Sequence, residues 1–143
     1  MYQKRFNELT TTELYQILKL RAKVFIVEQG QAYLDLDDLD YESIHFFLKQ
    51  NDHIVSYLRI LPKLNDYHQI GRVVSEKSIR HQGYARKLLN QAITYLKELY
   101  PNETLIIGAQ EYLLDYYRSF GFIKYGSRYY EDNLPHFKMK LTL

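Results

Sequence analysis

The fold is decided by the segment Ile70-Gly71-Arg72-Val73-Val74-Ser75 and by the segment Ile79-Arg80-His81-Gln82-Gly83-Tyr84-Ala85-Arg86-Lys87-Leu88-Leu89 that follows it. The β-branched residues of the first segment predict a strand, and Gly83 in the second marks the point where a helix opens. Free backbone N–H groups at a helix start attract anions, and the helix dipole strengthens that attraction. Basic residues and the small Ala85 flank this turn. The sequence therefore predicts that the helix start at Gly83 binds a pyrophosphate group without the lysine of a Walker motif. We call this predicted site the cradle.

Upstream of this segment the sequence predicts a capped helix and three strands. Thr10 and Glu13 have the spacing of a capping box, and apolar residues recur at helical intervals as far as Gly30. Asn51-Asp52 suits a hairpin turn between two segments rich in β-branched and aromatic residues. A short strand is also expected before the first helix. The three predicted strands cover residues 44–49, 54–61 and 67–74.

Downstream of Gly83 the pattern alternates between helices and strands. An apolar stripe predicts a helix that ends before Pro101, and a second helix is predicted over residues 110–120. The last strand is marked by strict alternation of apolar and polar residues from Phe137 to Leu143. Shorter strands are predicted over residues 105–107 and 122–124. The fold class is therefore α/β, with one central mixed sheet covered by helices, and the hairpin argues against an all-parallel sheet.

Composition limits the classes of function. A length of 143 residues predicts a single domain over residues 1–143, and the absence of Cys excludes disulfides, thiolate metal sites and a cysteine nucleophile. A formal charge of +2 is too balanced for nucleic acid or an anionic membrane to be the main partner. No leader segment or long apolar run stands out, so we expect a cytoplasmic protein. The five His show no paired ligand spacing, and no metal site is predicted.

Two motifs carry a resemblance to a known family. The stretch Arg80-His81-Gln82-Gly83-Tyr84-Ala85 resembles motif A of the GNAT superfamily of N-acetyltransferases, whose pattern is Gln/Arg-x-x-Gly-x-Gly/Ala. Tyr117-Arg118-Ser119-Phe120-Gly121-Phe122 resembles the Tyr-x-x-x-Gly-Phe signature of the same family. Residues 21–29 are similar to the Arg-x-x-Val-Phe-x-Val-Glu-Gln segment of the ElaA-like subgroup, and the similarity continues to about residue 139. Asn133 stands where that subgroup usually has Gly, and both residues accept a left-handed backbone.

The resemblance implies a fold, an activity and a set of ligand-binding residues. The implied fold is a central, mostly antiparallel, twisted sheet with a splayed strand pair, flanked by helices. The implied activity is direct transfer of an acyl group, usually acetyl, from acetyl-CoA to an amine, and the backbone N–H of Val73 or Val74 would polarise the thioester carbonyl. The residues implied to bind acetyl-CoA are Val73, Val74, Ser75, Arg80, His81, Gln82, Gly83, Tyr84, Ala85, Arg86 and Gln110.

The resemblance also singles out residues for proton transfer. Tyr117 is the candidate general acid that would protonate the departing thiolate of coenzyme A, although the chain has 15 Tyr and composition alone favours a packing role. Glu28 and His136 are the leading candidates for the general base, ahead of Glu131 and Asp132, and a relay through water is the alternative to all of them.

Several alternatives stay open. The acidic stretch of residues 35–42 either attracts a cationic amine or is a solvated loop, and Arg59 and Arg72 are candidates to pair with its carboxylates. The acceptor is a small-molecule or peptide amine, and a homodimer is possible. A non-catalytic acyl-CoA-binding sensor, or an interaction module, is the alternative function.

Overall fold

The computed structural model describes all residues, 1–143, and contains one sheet of seven strands and three α-helices. None of its helices is both long enough and apolar enough to cross a membrane. The strands are β1 (Tyr2–Arg5), β2 (Ile44–Gln50), β3 (His53–Ile60), β4 (Tyr67–Ser75), β5 (Thr104–Gln110), β6 (Ile123–Glu131) and β7 (Leu134–Thr142). The helices are α1 (Thr11–Arg21), which continues into a π-helix (Ala22–Glu28), α2 (Tyr84–Leu99) and α3 (Leu114–Arg118).

The sheet is mostly antiparallel, with the strand order β1-β2-β3-β4-β5-β7-β6. Only β4 and β5 run parallel, and they pair only where residues 67–69 meet residues 104–106. Beyond Gln69 the two strands diverge, while each keeps its antiparallel partner on the other side. The predicted mixed sheet with a splayed strand pair is confirmed.

Local sequence signals explain the first half of the chain. Thr10 Oγ1 accepts a hydrogen bond from the Glu13 N–H, and Glu13 Oε1 accepts one from the Thr10 N–H, both at 3.0 Å, so the capping box that begins α1 is confirmed. The hairpin turn between β2 and β3 is also confirmed. Asn51 and Asp52 both have positive φ, as a two-residue hairpin turn that matches the strand twist requires.

The core lies on both faces of the sheet. Successive strand residues point to opposite faces, so Phe46 packs with the apolar side of α2, whereas Phe47 packs with Ile17 and Leu20 of α1. The larger cluster contains 16 buried residues and the smaller one 7. The two helices therefore cover opposite faces and hold β4 between them.

Three segments differ from the sequence prediction. The helix predicted over 110–120 is wrong at its start, because β5 extends to Gln110 through pairing with β7 and α3 begins only at Leu114. The first helix changes to π-helical geometry at Ala22, which no sequence pattern had predicted. Pairing with β7 also extends β6 from Ile123 to Glu131, well past the predicted residues 122–124.

Candidate active site

A bulge in β4 creates the first part of the site. Gly71 lies opposite Arg59 and Val74 lies opposite Tyr57, so both Arg72 and Val73 face a single residue of β3. Arg72 has φ = 54°, a left-handed value that residues with a side chain seldom adopt. Because β4 and β5 have already separated here, the edge of β4 beyond Gln69 is left open.

The bulge is followed by backbone donors that face this opening. The Glu76 N–H donates to the Val55 carbonyl of β3 at 2.8 Å. N–H groups alternate in direction along a strand, so the N–H groups of Val73 and Ser75 point away from β3, towards the gap. Val74 points its N–H to β3, and its side chain is buried against α1. No strand pairs with this edge beyond Gln69, so these two N–H groups have no strand partner on that side.

The predicted cradle forms at the start of α2. Gly83 is the N-cap residue with φ = 85° and provides no side-chain cap. The first intrahelical bond is donated by the Lys87 N–H to the Gly83 carbonyl at 3.0 Å. The N–H groups of Gly83, Tyr84, Ala85 and Arg86 therefore have no partner within the helix. This arrangement fits a pyrophosphate group, which needs several convergent donors.

The polar side chains around the cradle are engaged elsewhere. Arg80 donates two hydrogen bonds to the Glu28 carboxylate, and its Nε donates to the Ser75 carbonyl at 3.2 Å. Arg86 donates to Ser119 Oγ at 2.8 Å and lies over the Phe120 ring. Gln82, His81 and Lys87 are exposed, and Gln82 Nε2 donates to the Ser78 carbonyl at 3.3 Å. In this structure the cradle therefore relies on backbone groups.

A cavity of about 640 Å³ opens between the separated ends of β4 and β5. Four of the residues predicted for the site line it, namely Val73, Gln110, Tyr117 and His136. Glu28 does not line it, because its carboxylate faces Arg80. The structure therefore brings the predicted acid and one of the two leading base candidates together at one opening.

Tyr117 lies on α3 and is almost fully buried. Its ring packs edge-on against Phe122 at 6.1 Å and against Tyr116 at 5.4 Å, measured between ring centroids. Burial raises the pKa of the Tyr117 hydroxyl above its ordinary value, and neighbouring tyrosines add to the effect. The side chain therefore stays a neutral hydrogen-bond donor at neutral pH.

His136 lies at the start of β7 with 7% of its surface exposed. Its Nδ1 donates to the Leu134 carbonyl at 2.8 Å, so the neutral ring carries its proton there and presents a lone pair at Nε2. The closest carboxylate oxygen to Nε2 belongs to Glu131, at 3.8 Å. The ring also lies over Tyr129, with 5.6 Å between the centroids. Nε2 is therefore available to accept a proton.

Several cavity residues were not predicted from the sequence. The π-helix carries Phe25 and leads into Gln29, whose Oε1 lies 3.5 Å from Gln110 Nε2. Tyr129 reaches across from β6, and its hydroxyl lies only 2.6 Å from the position that a Cβ on Gly108 would occupy. A glycine inside a strand often marks such a close approach, so Gly108 was the signal that could have located Tyr129.

In the acidic stretch, Asp35, Asp37 and Asp40 join a closed ring of ion pairs, whereas Asp38 and Glu42 are exposed. The ring alternates arginine with aspartate in the order Arg21, Asp35, Arg72, Asp37, Arg59 and Asp40. Five of its six contacts measure 2.5–2.8 Å, and that between Arg72 and Asp37 measures 3.4 Å. The predicted pairing of Arg59 and Arg72 with these acids is confirmed, whereas Arg21 was not foreseen.

The ring changes the interpretation of the acidic charge. Hydrogen bonds from Arg59 hold the pKa of Asp37 at about 2 although burial opposes this, and the guanidinium groups of Arg21 and Arg59 lower the pKa of Asp40 against its burial. Three arginines neutralise three carboxylates, so these acids are not free to attract a cationic amine. No group of three or more His, Asp or Glu side chains is placed to hold a metal ion.

Comparison with known proteins places the geometry in a family. The profile of the Acetyltransferase (GNAT) domain matches residues 17–143. A UPF0039 protein of Schizosaccharomyces pombe is 42% identical over 98% of this chain and 95% of its own length. Escherichia coli ElaA is 36% identical over 93% of this chain and 90% of its own length.

Solved structures agree with the sequence relatives. An acyl-CoA N-acyltransferase from Pseudomonas aeruginosa is 34% identical, covers 97% of this chain and 96% of its own, and superposes with a TM-score of 0.91. The crystal structure of Escherichia coli ElaA gives the same identity, the same coverage and the same TM-score. Both motifs, the splayed sheet and these relatives lead to one assignment. The chain belongs to the GNAT superfamily of acyl-CoA-dependent N-acyltransferases and is similar to ElaA.

Proposed function

We propose that this protein transfers an acetyl group from acetyl-CoA directly to a primary amine of a small molecule or peptide. One observation carries the proposal. The open edge of β4 at Val73 and the side chains of Tyr117 and His136 line one cavity, and the free N–H groups at the start of α2 come shortly after β4 in the chain. This is the set of groups that a thioester, a pyrophosphate and a proton transfer each require.

Backbone N–H groups would bind the pyrophosphate and polarise the thioester carbonyl. The N–H groups of Gly83 to Arg86 would hold the pyrophosphate, with Arg80 to Gln82 at its side. The pantetheine arm would follow the open edge of β4 past Ser75 and Gln110. The Val73 N–H points into the gap and would donate to the thioester oxygen as negative charge develops there. Val74 N–H points to β3, so the geometry favours Val73 over Val74 for this role.

Two side chains would move the protons. His136 Nε2 takes one proton from the substrate ammonium, and the neutral nitrogen then attacks the carbonyl carbon to form a C–N bond. As the C–S bond breaks, Tyr117 donates its hydroxyl proton to sulfur. The phenolate regains a proton from the new amide nitrogen. The products are the amide, free coenzyme A and one proton held by His136.

Glu131 and Asp132 border the same cavity and form no ion pair with a lysine or arginine, so they are candidates to attract the ammonium group. Glu28 faces Arg80 instead, which makes His136 our preferred base.

A cytoplasmic location, one domain over residues 1–143 and a homodimer stay predictions.

The test is an acceptor screen with acetyl-CoA that follows free thiol release and identifies products by mass spectrometry. A panel of small amines and peptides should include at least one acceptor that gains 42 mass units, as expected for acetylation. Longer acyl-CoAs serve as competing donors. Coenzyme A binding without any product over the whole panel would support the acyl-CoA sensor instead.

A further inference from the structure

Arg72 has an unusual backbone for a residue inside a strand. Its φ of 54° lies in the left-handed region, where glycine or asparagine is expected. The neighbouring Gly71 does not take up this conformation, since its φ is not positive. The left-handed residue of this strand is therefore an arginine. Contacts from outside the strand are needed to hold its backbone in that conformation.

The side chain of Arg72 is fixed by the acidic stretch. Its Nη2 donates to the Asp35 carbonyl at 2.9 Å, and its Nε lies 2.7 Å from Asp35 Oδ1 without the alignment of a hydrogen bond. Asp37 Oδ2 lies 3.4 Å from the same Nη2. These contacts tie the bulge of β4 to a segment that comes thirty-odd residues earlier in the chain.

The partners of Arg72 are themselves anchored. Asp35 accepts from Arg21 Nε at 2.8 Å, and Asp37 accepts from Arg59 Nη1 at 2.8 Å. Arg21 and Arg59 are fully buried in α1 and β3, and both donate to Asp40. The six charges sum to zero, so the ring can be buried without a net charge. It therefore forms a rigid frame on three elements.

We propose that this ion ring positions the bulge of β4, and through it the Val73 N–H, for stabilising the thioester oxygen. Arg72 is the positioning residue, because it is the only ring member on β4 and directly precedes Val73. The inference rests on the proposed function for the role of the Val73 N–H. The ring also reaches the cavity through Tyr33, a lining residue whose hydroxyl lies 3.4 Å from Asp35 Oδ1.

Three substitutions at Arg72 separate the effect of its ion pairs from the effect of its left-handed backbone. Arg72→Gly accepts the left-handed conformation without strain but loses the ion pairs. Arg72→Ala loses the ion pairs and keeps the strain of a residue with a side chain. Arg72→Lys keeps the positive charge, and with it the neutrality of the ring, but not the two-point contact. Lys63→Ala is the matched control, because it removes a 2.6 Å ion pair with Glu103 near the opposite end of β4.

Two measurements are made on each variant. Steady-state kinetics separate kcat from the KM for acetyl-CoA, and the ¹⁵N–¹H resonance of Val73 in the free protein reports the geometry of the bulge. Arg72→Gly should lower kcat about 10- to 100-fold, the effect expected when a reacting group is misplaced by about 1 Å. Its KM should change less than about threefold, since the cradle lies elsewhere. Arg72→Lys should recover part of kcat and of the Val73 resonance position.

The outcomes distinguish the two proposals. A folded Arg72→Gly variant with the kcat and the Val73 resonance of the parent protein would overturn the positioning role. So would an equal loss of kcat in Lys63→Ala. If the parent protein transfers no acyl group, the proposed function fails, while the Val73 resonance still decides whether the ring sets the bulge. If Arg72→Gly does not fold, Arg72→Lys gives the same test through its resonance and its kcat.

Discussion

Arg80 and Glu28 form a two-point ion pair, in which Nη1 lies 3.0 Å from Oε1 and Nη2 lies 2.5 Å from Oε2. The pair joins the cradle to the end of the π-helix. Hydrogen bonding from Arg80 lowers the pKa of the Glu28 carboxyl. A carboxylate held in this way is a weak proton acceptor and does not reach the cavity.

The first prediction separates the two base candidates. Glu28→Gln should keep kcat within about threefold of the parent protein, whereas His136→Gln should lower kcat about 100-fold, as is typical when a general base is removed. Steady-state rates with a saturating acceptor give the answer, and the reverse pattern would restore Glu28 as the base.

The second prediction concerns the proton given to sulfur. Tyr117→Phe should lower kcat about 10- to 100-fold while the KM for acetyl-CoA stays nearly constant, because the ring still packs and only the donor is lost. Since burial raises the pKa of Tyr117, the parent protein should keep its rate well into alkaline pH. Tyr116→Phe is the control and should retain activity. Equal rates for Tyr117→Phe and the parent protein would remove Tyr117 from the mechanism.

The third prediction tests the cradle. Gly83→Ala places a side chain on a backbone with φ = 85° and should weaken coenzyme A binding about tenfold, since a changed helix start moves the N–H donors. Gly126→Ala carries a similar conformational cost at φ = 75°, also with no atom within 4 Å of the added carbon, but lies on β6. Calorimetric titration should show weaker binding for the first variant alone.

The fourth prediction pairs Gly108 with Tyr129. A Cβ at Gly108 would lie 2.6 Å from the Tyr129 hydroxyl, so Gly108→Ala has to displace that ring. The expected cost is about 1 kcal/mol of unfolding free energy, typical of mild overpacking. Tyr129→Phe removes the clashing oxygen, and the double variant should regain most of the loss. Chemical denaturation of all four proteins measures the coupling, and strict additivity would contradict the contact.

The fifth prediction concerns stability in acid. Burial acts to raise the pKa of Glu13, but hydrogen bonds from Thr10, Lys4 and Lys49 outweigh it and hold the pKa at about 2, against an ordinary 4.5. A lowered pKa means that the carboxylate stabilises the fold above pH 4.5 and that this contribution disappears as the pH falls towards 2.

Glu13→Gln keeps the polar atoms of the capping box but removes the charge. The variant should lose about 2 kcal/mol of unfolding free energy at neutral pH, a value reduced for the partial exposure of the lysines. The difference from the parent protein should shrink between pH 4.5 and pH 2. Denaturation curves at several pH values test this, and a constant difference would show that charge is not the cause.

Local signals were enough to predict most of the fold. The capping box at Thr10, the hairpin at Asn51 and the helix start at Gly83 each depend on residues a few positions apart, and all three are present. The extension of β5 to Gln110 was missed because pairing with β7 overrides the helical pattern of the sequence. The π-helix was missed because the spacing of apolar residues in that segment also fits an ordinary helix.

The site was predicted less completely than the fold. Motifs gave the predictions for the cradle, Tyr117 and His136, since each lies in a recognisable segment, and their roles stay predictions. They could not show that Glu28 faces Arg80, because those residues meet only after folding. The ion ring was hidden for the same reason: its arginines come from one helix and two strands.

The short parallel contact between β4 and β5 also affects the mechanics of the molecule. Strands β1 to β4 come from the first half of the chain and β5 to β7 from the last part, and in the sheet only residues 67–69 and 104–106 hydrogen bond the two groups together. In the complex proposed above, a pantetheine chain bonded to both strand edges would brace this joint like an additional strand. Acyl-CoA should therefore raise the unfolding midpoint in proportion to the logarithm of its concentration, and the joint should exchange amide hydrogens faster when the ligand is removed.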